Sequence, residues 1–208
     1  MPNRGEPGEL RVGIIMGSDS DRTTMREAGR ALTILGLKET VDYEARIVSA
    51  HRTAQWMMDY AHAAEERGLH VIIDGAGGSA HLPGMVASET LIPVLGVAVT
   101  ENPDVMNRAL GSMIGMPEGK SLAVFQGKAG AFNAGLFAAK ILMPSDPVLR
   151  ENYLNYERMN LEVPVYAKDD IMNAVGMGED YDRGLAEDYV AAFAHNLEQV
   201  QQGIPHKV

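Results

Sequence analysis

The chain reads as an α/β protein built on a parallel sheet with helices on both faces. Three observations predict it. Short apolar segments of strand character alternate with segments of helical period. The connections between them are short, which suits right-handed β-α-β crossovers. Three polar runs, Gly17–Asp21, Ser49–Thr53 and Gly75–His81, each follow an apolar strand-like segment directly. In a parallel sheet all strand ends point the same way, so these runs converge on one crevice.

The elements follow in order. Leu10–Met16 is a buried strand, and Ser20–Leu35 an amphipathic helix that Gly36 stops. Val41–Val48 alternates and ends in apolar residues, as a second strand does. Thr53–Arg67 has helical period and Gly68 closes it; His70–Asp74 is a short strand. Leu82–Thr90 is a short helix, Pro93–Val97 a strand, Val105–Met113 a helix and Ser121–Phe125 a strand. Ala129–Met143 is an alanine-rich helix. Pro144-Ser145-Asp146-Pro147 makes a turn with an N-cap ahead of the helix Val148–Met159. The character then changes. Leu161–Ala167 reads as extended, Gly176–Gly184 is glycine-rich and acidic, and Leu185–Gln202 is again helical. The predicted division is an α/β domain over 1–160 and an acidic, mainly helical extension over 161–208. Its tyrosines and Phe193 argue for packing, on its own domain or on a neighbouring subunit.

Composition narrows the classes. The 208 residues carry a net charge of −10, which argues against a general nucleic-acid surface but not against a small phosphorylated ligand. Residues 161–208 hold nine acids against three bases, so the rest is only mildly acidic. No apolar run reaches the roughly 20 residues of a membrane span, and Met1–Glu9 lacks the apolar core of a signal peptide. The chain has no cysteine, hence no disulfide, thiolate zinc site or cysteine nucleophile. A cytoplasmic location is expected.

Each loop has two readings. Ser18, Asp19 and Ser20 cap the following helix, and its free N–H groups with Ser18, Ser20 and Asp21 suit a phosphate and ribose hydroxyls. His51 beside Arg52, flanked by Ser49 and Ala50, is not needed for packing. Arg52 offers a planar fork for phosphate or carboxylate, and His51 exchanges a proton near neutral pH. The Gly75–Gly84 loop, with Gly77, Gly78, His81 and Leu82, is either a tight turn or a place where backbone approaches a ligand closely. It lacks the G-x-G-x-x-G dinucleotide spacing. Gly119-Lys120-Ser121 is not a P-loop: Ile114 stands where the motif needs glycine, and a helix precedes it where a strand should. No histidine cluster has metal-ligand spacing, so no metal is expected.

The runs Met-Gly-Ser-x-Ser-Asp, Ser-Ala-His-Arg-Thr and Gly-Ala-Gly-Gly-x-Ala-His-Leu-Pro-Gly-Met, in this order and at these intervals, resemble the PurE proteins of purine biosynthesis. Pro93–Val97 and Gly127–Ala134 fit the same pattern, and the match runs from about Leu10 to Arg158. The resemblance implies a flavodoxin-like three-layer sandwich with a five-stranded parallel sheet, assembled as homo-octamers with sites at subunit junctions. The intact third loop resembles the mutase branch, which converts N5-carboxyaminoimidazole ribonucleotide to 4-carboxyaminoimidazole ribonucleotide. It further implies His51 as general acid-base and Ser18, Asp21 and Arg52 on the phosphoribosyl group. The 75–84 loop, with His81, would enclose the migrating carboxyl, and no cofactor is needed. Direct carboxylation of aminoimidazole ribonucleotide, or a non-catalytic nucleotide-binding scaffold, are the alternatives.

Overall fold

The computed structural model of the chain describes residues 10–160. The segments expected at 161–167, 176–184 and 185–202, and with them the extension itself, lie outside the described residues. The strands are β1 (Val12–Met16), β2 (Tyr43–Ile47), β3 (Val71–Ala76), β4 (Val94–Ala98) and β5 (Ala123–Gln126). The helices are α1 (Arg22–Ile34), α2 (Ala54–Ala63), α3 (His81–Glu89), α4 (Pro103–Ile114), α5 (Gly127–Leu142) and α6 (Pro147–Asn160).

All five strands are parallel, in the order β2-β1-β3-β4-β5. This is the flavodoxin-like order, whose switch point lies between β1 and β3. β1 and β3 run in register from Val12 beside Val71 to Met16 beside Gly75. The loops after these two strands are therefore neighbours.

Burial on both sides explains why β1 and β4 read as unbroken apolar runs, and β3 as one broken by Asp74 alone, every residue of each being buried. On one side Ile15, Ile72 and Val94 join Met57 and Tyr60 of α2, Leu82 and Val86 of α3, and Ala109 and Met113 of α4 in one apolar cluster. Burying a side chain the size of Leu82 contributes roughly 1.5–3 kcal/mol. Helices α1 and α5 pack against each other closely. A Cβ placed on Gly135 of α5 would lie 2.5 Å from the Ala28 carbonyl oxygen and 2.8 Å from the Ala31 Cβ. Arg30 also stacks over the Phe132 ring at 4.4 Å. Gly36, at φ +90°, ends α1, and the Asn152 amide of α6 donates to the carbonyl of Leu35 at 3.0 Å.

The boundaries differ from the expected ones for local reasons. Helix α1 starts later, because Asp19–Asp21 first makes a 3-10 turn. Helix α2 stops at Ala63, and the chain closes through Leu69 N–H to the Ala64 carbonyl at 3.0 Å, with Gly68 at φ +83°. Helix α4 starts at Pro103, since Asn102 accepts from the Asp104 and Val105 N–H groups at 3.0 and 3.3 Å. Strand β3 starts one residue later and ends two residues later than expected, and takes Gly75 and Ala76 into the ladder. A Cβ at 75 would lie 2.3 Å from the sulfur of Met25, so a larger residue there would have to displace that side chain.

Two groups of paired charges sit away from the carboxyl ends of the strands. The Arg11 guanidinium donates to Asp42 at 2.9 Å and to Asp146 at 2.5 Å. Glu44 accepts from Tyr60 at 3.0 Å, from Arg46 at 2.9 Å and from Arg67. Burial pushes the Glu44 carboxyl up, but these donors outweigh it and hold the group below its usual range. No helix among the described residues is long and apolar enough to cross a membrane.

Candidate functional site

The three polar runs stand at the carboxyl ends of β1, β2 and β3. In the first, Ser18 is extended (φ −156°, ψ 158°), and its hydroxyl accepts from the Ser20 N–H at 3.4 Å. The Ser20 hydroxyl lies 3.0 Å from Ser18 Oγ and 3.3 Å from Asp21 Oδ1. Asp21 occupies the N-cap position of α1 yet makes no capping bond with its side chain. Its carboxylate is thus not used by the helix. Burial pushes the Asp21 carboxyl up, against the Ser20 hydroxyl and the Ser18 backbone, which favour the charged form.

The second run is a tied turn. Thr53 Oγ1 accepts from the Ser49 N–H at 3.1 Å and donates to the Ser49 carbonyl at 3.1 Å, while Ser49 Oγ accepts from the Arg52 N–H at 3.2 Å. Ala50 is buried under the turn. His51 and Arg52 are left exposed at its tip. Among the described residues the Arg52 guanidinium has no ion-pair partner, so it is available to an anion.

The third run carries the backbone tension. Gly78 is at φ +62° and Ala80 at φ +46°, the latter a left-handed position that costs a non-glycine residue on the order of 1–2 kcal/mol. Ala80 is also the N-cap of α3 and supplies no side-chain cap. The first N–H groups of α3 therefore open toward the loop without a capping oxygen.

The loops meet in pairs. His51 Nε2 lies 3.2 Å from His81 Nδ1, with ring centroids 5.4 Å apart at an interplanar angle of 79°. One of these two nitrogens must carry the shared hydrogen. The first and third runs meet at Asp21. A Cβ on Gly17 would lie 3.7 Å from Asp21 Oδ2 and 3.9 Å from Leu82, and one on Gly77 would lie 4.0 Å from Asp21 Oδ1. The Gly17 N–H donates to the Gly75 carbonyl at 3.2 Å. No hydrogen bond among the described residues joins the first run to the second; both reach the third. Such an edge offers an acceptor for hydroxyls, a free cation for an anion, and imidazoles that exchange protons.

Two features here escape sequence reasoning. Glu101 and Lys128 pair at 3.0 Å beyond the ends of β4 and β5. Asp74, in the middle of the site-forming strand β3, is wholly buried. Its signal in the sequence is a single acid at the end of the apolar run Val71-Ile72-Ile73.

Residues 11–162 match the family model described as AIR carboxylase. The chain belongs to the AIR carboxylase family. Among curated relatives it is 50% identical over 138 residues to the N5-carboxyaminoimidazole ribonucleotide mutase of Vibrio parahaemolyticus, which covers 66% of this chain and 83% of that protein. It is 48% identical over 160 residues to the protein of the same name from Bacillus subtilis, covering 76% of this chain and 96% of that one. For the Thermotoga maritima protein of that name the identity is 49% over 154 residues, covering 74% and 87%. The crystal structure of Treponema denticola PurE superposes with a TM-score of 0.63 at 27% identity, covering 73% of this chain and 91% of that one. The AIR carboxylase match spans all three site loops and β1 to α6.

Proposed function

We propose that this chain isomerises N5-carboxyaminoimidazole ribonucleotide to 4-carboxy-5-aminoimidazole ribonucleotide in purine biosynthesis. The observation that carries the reading is the imidazole pair, His51 against His81 at 3.2 Å, beside an unpaired Arg52 at the carboxyl edge of the sheet. Relatives about half identical that bear the mutase name support it.

In this reading Arg52, Ser18 and Ser20 hold the phosphate, and Asp21 accepts from the ribose hydroxyls. Protonated His51 gives its proton to N5 as the carbamate C–N bond breaks, releasing carbon dioxide. C4 of the imidazole attacks the carbon dioxide and forms the new C–C bond. Neutral His51 then takes the C4 proton, which restores the starting state with no net proton consumed. The backbone of Gly77 and Gly78, with His81 and Leu82, holds the carbon dioxide beside C4, so that recapture outpaces escape. Ser49 and Ala50 shape the turn that aims His51. This route draws on no metal or organic cofactor.

A homo-octamer in the cytoplasm belongs to the same reading, with 161–208 as an extension that wraps a neighbouring subunit. The exposed apolar side chains Leu91 (94%) and Ile114 (70%) support a subunit contact.

An assay with each of the two imidazole ribonucleotides tests the reaction. Conversion of the N5-carboxy compound without added bicarbonate is expected. Turnover only of aminoimidazole ribonucleotide with bicarbonate would instead establish direct carboxylation. A folded protein that binds both and converts neither would be a scaffold.

A further inference from the structure

Strand β3 carries a carboxyl that none of these roles uses. Asp74 is 0% exposed, and neither of its carboxyl oxygens has a hydrogen-bond partner among the described residues. Its place follows from register, beside Ile15 of β1 and Gly96 of β4. Side chains alternate along a strand, so Asp74 faces the same way as Ile72 and Ala76, both in the apolar cluster under α2, α3 and α4. The space over Gly96 is filled by Leu122, Pro83 and Met113.

The other charges on this face are engaged or distant. Arg46 lies in the same register row two strands away, bound to Glu44. Tyr60 of α2 donates to Glu44, which also binds Arg67. Helices α3 and α4 present Leu82, Val86, Ala109 and Met113, with His81 exposed at the outer end of α3. The charge that reaches Asp74 is that of Asp21 above the ends of β1 and β3. Burial first, and then the Asp21 carboxylate, push Asp74 well above the usual range.

We propose that Asp74 is a positioning residue that sets the charge of the site: it stays protonated beneath Asp21, so that the two acids carry one negative charge, and loss of its proton weakens binding of an anionic ribonucleotide. The inference rests on the proposed substrate class. Asp21 must be ionised to accept ribose hydroxyls, while the substrate brings a phosphate and a carboxylate of its own. One negative charge at Asp21 is compatible with both. A second, buried and without a counter-ion, repels the ligand. The effect falls on binding, because the proton transfers are made at His51 on another loop.

The test is the pH dependence of KM and kcat from pH 6 to 9.5 for the wild type and Asp74→Asn, whose amide resembles the neutral acid. Over the pH interval in which Asp74 ionises the wild-type KM is expected to climb, by at most about tenfold per pH unit, and that climb to vanish in D74N. A wild-type KM that stays flat while the 13C resonance of the Asp74 carboxyl shows it ionising overturns the proposal. So does a D74N curve that follows the wild type, or one in which the kcat profile changes and KM does not. Should the wild type turn over neither imidazole ribonucleotide, the functional reading fails and the inference is still decided. The 13C resonance of the Asp74 carboxyl is then titrated, and ribose 5-phosphate binding is followed by calorimetry over the same pH range. A carboxyl midpoint near the ordinary value of about 4 overturns it. A midpoint well above that, with phosphate-sugar binding that fades as the carboxyl ionises, supports it.

Discussion

The same substitution, glycine to alanine, should have opposite effects in two helices of this chain. In the middle of a helix the exchange gains about 1 kcal/mol from propensity, because glycine loses more backbone freedom on folding. At Gly111 of α4 a new Cβ meets nothing within 4 Å, so only that gain remains. At Gly135 of α5 it meets the Ala28 carbonyl oxygen at 2.5 Å and the Ala31 Cβ at 2.8 Å. Both are parts of a neighbouring helix, not the end of a flexible side chain, so α1 and α5 must move apart. Overpacking of this kind costs typically 1–3 kcal/mol. Because the obstruction is backbone, we take about 3 and subtract the propensity gain, leaving a net loss of about 2 kcal/mol for Gly135→Ala. Gly111→Ala should gain about 0.5–1 kcal/mol. Urea unfolding followed by circular dichroism, at one fixed protomer concentration, measures both. A G135A protein as stable as the parent would refute the account of the α1–α5 contact, and a destabilised G111A would refute the assignment of open space around Gly111.

Three further predictions follow from the site and the buried charges. Replacing His51 by Asn should lower kcat by about 10²–10⁴-fold while leaving ribonucleotide binding measurable by calorimetry; loss of binding with full turnover of the bound fraction would remove His51 from the chemistry. Replacing Arg11 by Met strands Asp42 and Asp146 and should cost about 3 kcal/mol in urea unfolding. The pH dependence gives a second reading of that pair. Burial pushes the Asp146 carboxyl up, but the Leu149 N–H and the Arg11 guanidinium outweigh it and hold it below 3.8. Its contribution is therefore complete above the unfolded pKa and disappears as pH falls through the lower folded value. In R11M the folded value moves up toward the unfolded one, so that acid-dependent loss should shrink, and an unchanged acid limb would count against the pairing. Truncation after Asn160 should reduce the number of protomers in the assembly or its melting temperature; if the protomer number from light scattering and the melting were both unchanged, 161–208 would have no part in assembly.

The alternation of strands and helices is legible because β1, β3 and β4 are buried on both faces and leave apolar runs, broken only by Asp74 in β3. The three site loops were legible for a related reason, since polar residues placed directly after such runs have nowhere to go but the strand ends. Strand order was not derivable from alternation alone. That His51 touches His81 depends on β2 and β3 flanking β1, and flavodoxin-like order entered through the resemblance of motifs. From sequence Asp74 reads as the last residue of a strand, because one acid in an apolar run looks like its end. The ladder instead continues through Gly75 and Ala76, which places the acid inside. The Arg11–Asp146 pair spans 135 residues, a separation at which no periodicity carries a signal.

The close contact between α1 and α5 also has a consequence for how the chain reaches its fold. Every loop of the candidate site comes from the first 82 residues, but the partner that packs on Ala28 and Ala31 is not made until residues 127–142. A growing chain can pair β1, β2 and β3 and lay α1 on them, with Met25 over Gly75, well before the other side of α1 is covered. Contacts between segments about 100 residues apart are slow to form, because the intervening loop must first be closed. The docking of α5 is thus the late step for this domain. Until it happens, α1 leaves small apolar side chains bare in an otherwise assembled site, where a second unfinished chain can meet them.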